Sequence, residues 1–273
     1  MTRKEPSIHP ESGLWGGQMI RFRELDSTNA WALRNAAALA HGDVVQADAQ
    51  SAGRGRRGRF WLAPAGQSIA LSVVVSEPRF VSLAANLGQL AALAVSDAMS
   101  AYGLHAMFKW PNDVMIADAK VAGILAERAD TGAFILGIGL NVNVSRRDFA
   151  AAKLDRPATS LRLQTGRRVS LRDTRRLLLG RLERRLEGAR ERGIGELLAA
   201  WRQSDWLLGR AIRLTGIEPA VEGRYLGLDA EGRLVLQAED GASRAYWSGD
   251  VERVEPLAAG RAGDRPAVAP KRL

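Results

Sequence analysis

Gly53-Arg54-Gly55-Arg56-Arg57-Gly58-Arg59-Phe60-Trp61-Leu62-Ala63-Pro64 is the stretch on which the choice of fold turns. It satisfies GxGxxG, the pattern of a dinucleotide-binding fold. That pattern has meaning only where a helix begins at once and offers its N-terminus to a phosphate. Here Pro64 and Gly66 block a helix, and no Gly-Lys pair occurs anywhere in the chain to build a Walker A loop. What remains is a flexible loop whose four arginines can grip polyphosphate or an acyl phosphate. An RGG-like RNA-binding tract, or a plain surface loop, is the alternative. Such tracts sit in low-complexity sequence, whereas this one lies between strand-like segments at 44–47 and 68–75.

Upstream, Asp26-Ser27-Thr28-Asn29 supplies four residues that favour helix N-caps, ahead of an alanine-rich helix over 30–40 stopped by His41-Gly42. Residues 1–18, punctuated by Pro6, Pro10, Gly13, Gly16 and Gly17, read as a loose lead-in. Downstream, a long helix over 81–101 ends at Gly103. Short strands follow at 106–109, 114–116 and 121–128. Trp110-Pro111-Asn112-Asp113 parts the first two, because proline disfavours helix at the residue before it. Ala117-Asp118-Ala119 reads as a hairpin turn, and 134–143 closes the β-rich region. A helix over 171–192 begins at Ser170, with Asp173 placed for a capping-box-like start, and a shorter helix covers 194–201. From Gly209, short strands at 211–215, 221–228, 233–238, 244–247 and 251–254 suggest a small barrel. Residues 257–273, rich in Ala, Arg, Pro and Gly, read as a disordered tail.

The chain has 273 residues, a formal charge of +9 and no cysteine. Without cysteine there are no disulfide scaffolds, thiol nucleophiles, zinc-thiolate sites or iron–sulfur clusters. His9, His41 and His105 are too scattered to suggest a metal cluster. No apolar run approaches about 18 residues, so no membrane span is expected, and the N-terminus lacks the apolar core of a signal peptide. A soluble cytoplasmic protein is the expectation. The charge is concentrated: between Arg162 and Arg213 there are 14 arginines against six acids, mostly on predicted helix. We read this stretch as a solvated arginine-rich face rather than a nucleic-acid surface.

Two lysines, Lys109 and Lys120, fall inside the β-rich region. Taken alone, a strand lysine is usually a solvent-facing edge residue. Lys120, however, precedes Val121-Ala122-Gly123-Ile124-Leu125, where Gly123 lets a ligand approach the backbone closely. Gly137-Ile138-Gly139-Leu140-Asn141-Val142-Asn143 has the same character. Two glycine-bearing strands beside an arginine loop suggest a slot for a flat ligand.

These segments occur together in a known order and spacing: Asp26 to Asn29, Gln50 to Trp61, Lys109-Trp110-Pro111-Asn112-Asp113, Lys120 to Glu127, and Gly137 to Asn143. In them the chain resembles the biotin protein ligases, which attach biotin to a lysine of carrier domains. The resemblance spans about 19–256. It implies an α+β fold with a mixed-sheet catalytic domain of the biotin/lipoate ligase type at 19–205, followed by a small SH3-like C-terminal barrel at 209–256. It also implies roles. Ser27, Thr28 and Asn29 match positions at the biotin head. Gln50, Gly53, Arg54, Gly55 and Arg56 match biotin- and adenylate-contacting positions. Arg59 and Trp61 match the loop that folds over the nucleotide. Asn112 and Asp113 match positions near the nucleotide and its Mg²⁺, and Asn141 a nucleotide contact. Lys120 matches the lysine beside the biotin carboxylate, and Gly123 and Gly137 belong to the slot. No protein-bound metal site is implied, Mg²⁺ being held mainly through the nucleotide. The family's N-terminal winged-helix domain has no counterpart before Ser27, so a sequence-specific DNA repressor is not expected. The implied partner is a biotin carboxyl carrier protein of the acetyl-CoA carboxylase type, with the enzyme itself a monomer or homodimer.

The chemistry suits these residues. A carboxylate is a poor acyl donor, so it must first attack the α-phosphorus of ATP, giving an acyl-adenylate and pyrophosphate. The meeting anions need cations and Mg²⁺ in a water-poor site, which Arg54, Arg56 and Lys120 supply as the candidate catalytic residues. The rivals are a lipoate or octanoate ligase on the same fold, a nucleic-acid-binding protein, and a catalytically silent homologue.

Overall fold

The computed structural model describes residues 7–255. An eight-stranded sheet runs in the order β1-β2-β3-β4-β8-β7-β6-β5. Its strands are β1 (Ser7–Ser12), β2 (Gln18–Leu25), β3 (Val44–Gln50), β4 (Ser68–Val75), β5 (Met107–Lys109), β6 (Asp113–Ile116), β7 (Ala119–Arg128) and β8 (Phe134–Asn141). The neighbours β2 and β3 pair in parallel and the remaining pairs are antiparallel. A parallel pair needs a crossover, and here helix α1 (Thr28–Arg34) lies on it.

Every residue of β4 is buried, as expected of a central strand covered on both faces. One face carries α2 (Leu87–Ser100) and α5 (Leu171–Arg192), with Leu71, Val73, Leu87, Leu90, Leu136, Ile138, Leu178 and Leu182 in a continuous apolar core. The helix expected over 81–101 is α2 preceded by a 3₁₀ stretch, Pro78–Asn86. Together, Pro78–Ser100 is long and apolar enough to cross a membrane by length and composition, which corrects the expectation that no segment approaches that length. Polar Arg79, Ser82, Asn86 and Gln89 hide the run from a residue-by-residue reading. In the fold it packs between the sheet and α5. The other face carries α1 over Phe22, Val45, Val74 and Ile135. Helix α1 stops at Asn35, short of the expected residue 40, because the Asn35 amide nitrogen donates to Trp31 O and a 3₁₀ turn takes over.

The lead-in expected at 1–18 is ordered where described: Ser7–Ser12 pairs antiparallel with β2. Trp15 and Gly16, both at positive φ, reverse the chain between the two strands. Residues 1–6 and the expected tail at 257–273 lie outside the described residues. Short helices α3 (Arg146–Ala151) and α4 (Leu161–Thr165) follow the sheet. Helix α5 begins where the sequence places it, with Ser170 Oγ accepting from Asp173 N at 3.2 Å. Helix α6 (Gly195–Gln203) leads to a second sheet.

That sheet is wholly antiparallel: β9 (Ala211–Thr215), β10 (Val221–Leu228), β11 (Leu234–Gln237), β12 (Ser243–Tyr246) and β13 (Asp250–Glu255), in the order β12-β11-β10-β9-β13. It is not the closed barrel expected. Among the described residues β12 and β13 do not pair, and β12, four residues long, pairs with β11 alone. The two sheets share one core, in which Trp201, Leu207, Ile212, Tyr225 and Val251 join the α2–α5 layer. Tyr225 donates its phenolic hydrogen to Asp205 Oδ2 at 2.7 Å across that junction.

Candidate active site

Small residues clear a floor on the α1 side of the mixed sheet. Strand pairing aligns Ala70, Gly139 and Gly123 in one row across β4, β8 and β7, and Ser72, Gly137 and Leu125 in the next. Successive strand residues face opposite sides, so Gly137 and Gly139 take side chains away from this face while Leu136, Ile138 and Leu140 fill the core beneath. Over the floor lies a cavity of about 320 Å³. The indole of Trp61 rests on it. A Cβ on Gly139 would sit 2.3 Å from Trp61 Cε2, and one on Gly123 would sit 3.2 Å from Cζ3. Trp61 Nε1 is buried without a partner, and the Lys120 ammonium stands 5.3 Å from the ring centroid.

One end of the cavity is uncharged and tightly hydrogen-bonded. Ser27 Oγ caps α1, accepting from Ala30 N at 3.4 Å. Thr28 N–H donates to Gln50 Oε1 at 2.8 Å. The Ser72 hydroxyl lies 2.8 Å from Thr28 Oγ1 and 2.6 Å from Asn29 Oδ1. Asn29 Nδ2 donates to Leu125 O at 3.1 Å and to Glu127 Oε2 at 2.9 Å. Gly137 makes this possible, since a Cβ there would fall 2.3 Å from Asn29 Oδ1. Ser27, Thr28, Asn29 and Ser72 are all buried, so each polar group depends on its neighbours for satisfaction.

Elsewhere the walls are cationic. Arg54 reaches Glu127 Oε1 at 3.3 Å, which ties the arginine loop to the uncharged end through one carboxylate. The rest of the loop is fastened to the second sheet. Asp250, at the start of β13, receives Arg59 Nη2 at 2.9 Å and Arg57 Nε at 3.1 Å, with Arg56 Nε at 4.0 Å. Arg56 also donates to Gly249 O at 3.1 Å, and Arg57 to Gly216 O at 2.7 Å. The Arg57 guanidinium fills the notch where any side chain at Gly216 would lie. Burial pulls the Arg56 pKa down, with Asp250 opposing it. Lys120 Nζ pairs with Asp113 Oδ1 at 2.6 Å.

Of the residues singled out in the sequence, Ser27, Thr28, Asn29, Gln50, Arg54, Gly55, Arg56, Arg59, Trp61, Asn112, Asp113, Lys120, Gly123, Gly137 and Asn141 line this one cavity. Gly53 does not. It serves the loop instead: Trp61 N–H donates to Gly53 O at 2.8 Å, and a Cβ at Gly53 would fall 2.3 Å from Trp61 O. Asn112 is partly committed elsewhere, its Nδ2 donating to Ile124 O to brace β6 on β7. Asn141 Oδ1 is buried on the cavity wall with no partner, so a ligand donor would satisfy it.

Sequence reasoning missed Ser72, Glu127, Asp250 and the wall formed by Phe149 and residues 152–158. For Ser72 there was a signal, a hydroxyl inside the apolar strand Ser68–Val75. Glu127 closes the Lys120 to Glu127 segment of the sequence but was given no role there, and for the others there was no signal, because only the fold brings them to the site. Lys109 is buried, its ammonium 5.1 Å from the Trp206 ring, and its pKa falls to about 8 chiefly through burial and then through neighbouring Arg156. In the arginine-rich α5 region, Arg185, Arg190 and Arg192 are paired with Asp97, Glu187, Glu191 and Glu196, which favours the solvated-face reading.

Residues 20–145 match the biotin/lipoate A/B protein ligase family, and residues 207–254 match the biotin protein ligase C-terminal domain. The chain is 38% identical over 250 residues to a biotin–[acetyl-CoA-carboxylase] ligase of Mycobacterium tuberculosis, covering 84% of this chain and 89% of that protein. It is 35% identical over 223 residues to the protein of the same description from Paracoccus denitrificans, covering 79% and 92%. A biotin protein ligase from Aquifex aeolicus, solved in complex with biotin and ATP, superposes with a TM-score of 0.76 at 28% identity, covering 87% of this chain and 99% of that one.

Proposed function

The chain belongs to the biotin protein ligases and is an ATP-dependent ligase; from that premise we propose that it works through biotinyl-5′-AMP and hands biotin to a lysine of a biotin carboxyl carrier domain in the cytoplasm. The observation that carries this reading is the mixed lining of one cavity, in which the neutral hydrogen-bonded groups of Ser27, Thr28 and Asn29 share the wall with the cations Arg54, Arg56 and Lys120. A ligand with an uncharged, amide-like head and a carboxylate tail fits such polarity. The carboxylate attacks the α-phosphorus of ATP and pyrophosphate departs. The carrier amine then attacks the acyl carbon and AMP departs.

In this reading Ser27, Thr28, Asn29 and Gln50 hold the biotin head over the glycine floor. Lys120, Arg54 and Arg56 gather charge where the two anions meet, which lowers the barrier most in a site shielded from water. Arg59 and Trp61 cover the nucleotide, and Asn112, Asp113 and Asn141 contact it. Mg²⁺ enters as part of the MgATP substrate. The cavity carboxylates are Asp113 and Asp155, and among the described residues no group of three or more His, Asp or Glu side chains gathers to hold an ion. The basic face of α5 serves as scaffold in this reading and not as a DNA contact.

The test is mass spectrometry of a carrier domain incubated with this protein, biotin and MgATP, with lipoate in a parallel arm. One biotin added per carrier, dependent on ATP, is the expected result. No adduct, or preference for lipoate, overturns the proposal.

A further inference from the structure

Two cations on the cavity wall, Lys153 and Arg156, have no carboxylate partner among the described residues, and of the two only Arg156 is half-buried and hydrogen-bonded in place. Arg156 lies in the stretch after α3, and its position is fixed by backbone bonds to β7 on the residues that follow it. Lys120 N–H donates to Pro157 O and Thr159 N–H to Lys120 O, both at 2.9 Å. Arg156 is therefore carried by the connection that runs alongside Lys120, and its side chain lines the cavity.

Pairing and anchoring together distinguish Arg156. On the same wall Arg54 answers Glu127, Arg56 and Arg59 answer Asp250, and Lys120 answers Asp113, while Lys153 stands exposed. Among the described residues no carboxylate lies within ion-pair distance of Arg156. Its one hydrogen bond there is from Nη2 to Val251 O at 3.3 Å, which aims the guanidinium and leaves the other N–H groups to spare. Lys109 is near enough for the two positive charges to repel. Asp113, the carboxylate that opposes this repulsion, already holds Lys120 at 2.6 Å. Two like charges close to each other, one of them on the cavity wall, favour the arrival of an anion there. An anchored guanidinium with free donors suits phosphate oxygens.

We propose that Arg156 is a further nucleotide-binding residue, which holds the β- and γ-phosphates of ATP and the pyrophosphate they become. The proposal rests on the ligase reading above. As the carboxylate oxygen bonds to the α-phosphorus, the bond from that phosphorus to the bridging oxygen breaks. The electron pair leaves on pyrophosphate, and Arg156, still protonated, pairs with the charge that builds there. In the second half-reaction the electron pair leaves on the AMP phosphate instead, and no pyrophosphate is present for Arg156 to hold.

That asymmetry supplies the test. In the full-length protein, Arg156→Ala and Arg156→Lys are compared with the unmutated chain in ATP–pyrophosphate exchange, in biotin titration, and in transfer from preformed biotinyl-AMP to a carrier domain. For Arg156→Ala, KM for ATP and for pyrophosphate is expected to rise about tenfold or more, the scale of one lost charge-assisted phosphate contact. Arg156→Lys recovers part of the loss. Biotin affinity and transfer from the preformed adenylate stay unchanged, which also shows that the fold is intact. Unchanged KM values in both variants, or transfer slowed as much as exchange, overturn the assignment. Absence of exchange in the unmutated chain overturns the ligase reading itself. If Arg156→Ala fails to fold, Arg156→Lys carries the test, since lysine keeps the charge but loses the forked geometry.

Discussion

Replacing Asp250 by Asn unfastens the arginine loop with almost no change of shape. The Asp250 side chain is 7% exposed and receives Arg59 at 2.9 Å and Arg57 at 3.1 Å, with Arg56 at 4.0 Å. Breaking a fully buried ion pair by removing one partner costs about 3–5 kcal/mol. The guanidinium side chains here are 42% and 46% exposed for Arg57 and Arg59, so water takes them back once released. Screening and rehydration therefore reduce the figure to about 1–2 kcal/mol. The other anchors, Arg57 on Gly216 O, Arg56 on Gly249 O and Arg54 on Glu127, stay in place. About 1–2 kcal/mol corresponds to roughly a 5–30-fold larger population of released loop. Trypsin reads this directly, because the loop is rich in its cleavage sites and cleavage follows the open population when reclosing is fast. Asp250→Asn is expected to raise the rate of nicking within 53–59 by that factor, with a smaller difference from the unmutated chain at high salt. An unchanged nicking rate would refute the reasoning and leave Asp250 as no more than a local partner of β13.

Lys120→Ala is expected to lower ATP–pyrophosphate exchange by roughly 10²–10³, the scale for one lost electrostatic donor; exchange near the unmutated rate would remove Lys120 from its proposed role. Ser72→Ala leaves Asn29 Oδ1 buried without its hydroxyl partner, at a cost of about 1–3 kcal/mol. Urea unfolding should show that loss, and biotin titration a matching fall in affinity. Burial raises the Asp205 pKa to about 6, with bonds from Tyr225 and Leu207 opposing. A carboxyl raised in the folded state contributes stability below its unfolded pKa and loses that contribution as pH climbs through about 6. The full swing is about 3 kcal/mol. Asp205→Asn, always neutral, should gain on the parent by up to that amount between pH 4 and 7 in thermal melts; a constant offset across that range would contradict the burial argument.

Local chemistry made part of this molecule readable. The helix at Leu171–Arg192 is announced by Ser170 and Asp173, which sit where an N-cap and its third residue must, and the structure uses them so. The strand Ser68–Val75 stands out as a β-branched run bounded by Gly66 and Pro78. Strand β2 was missed because it does not alternate: Met19 and Phe22 are buried three residues apart, with arginines at 21 and 23. The glycines before it looked like looseness, yet they serve a tight turn into β1. At the site, the slot was legible from Gly123, Gly137 and Gly139, whose missing side chains are visible in any sequence. The anchoring of the arginine loop was not. Asp250 lies 191 positions from Arg59, and nothing near either residue points to the other until the second sheet is packed against the first.

The indole of Trp61 lies over Gly139 and Gly123, on the glycine floor that the proposed biotin site would use. The protein thus carries an intramolecular competitor for its own pocket. A ligand that takes the same surface must displace this ring, so its apparent affinity is the intrinsic one scaled by the fraction of molecules with the ring lifted. A substitution at Asp250, which does not line the cavity, would then retune binding without touching a ligand contact, by changing how often the indole lets go.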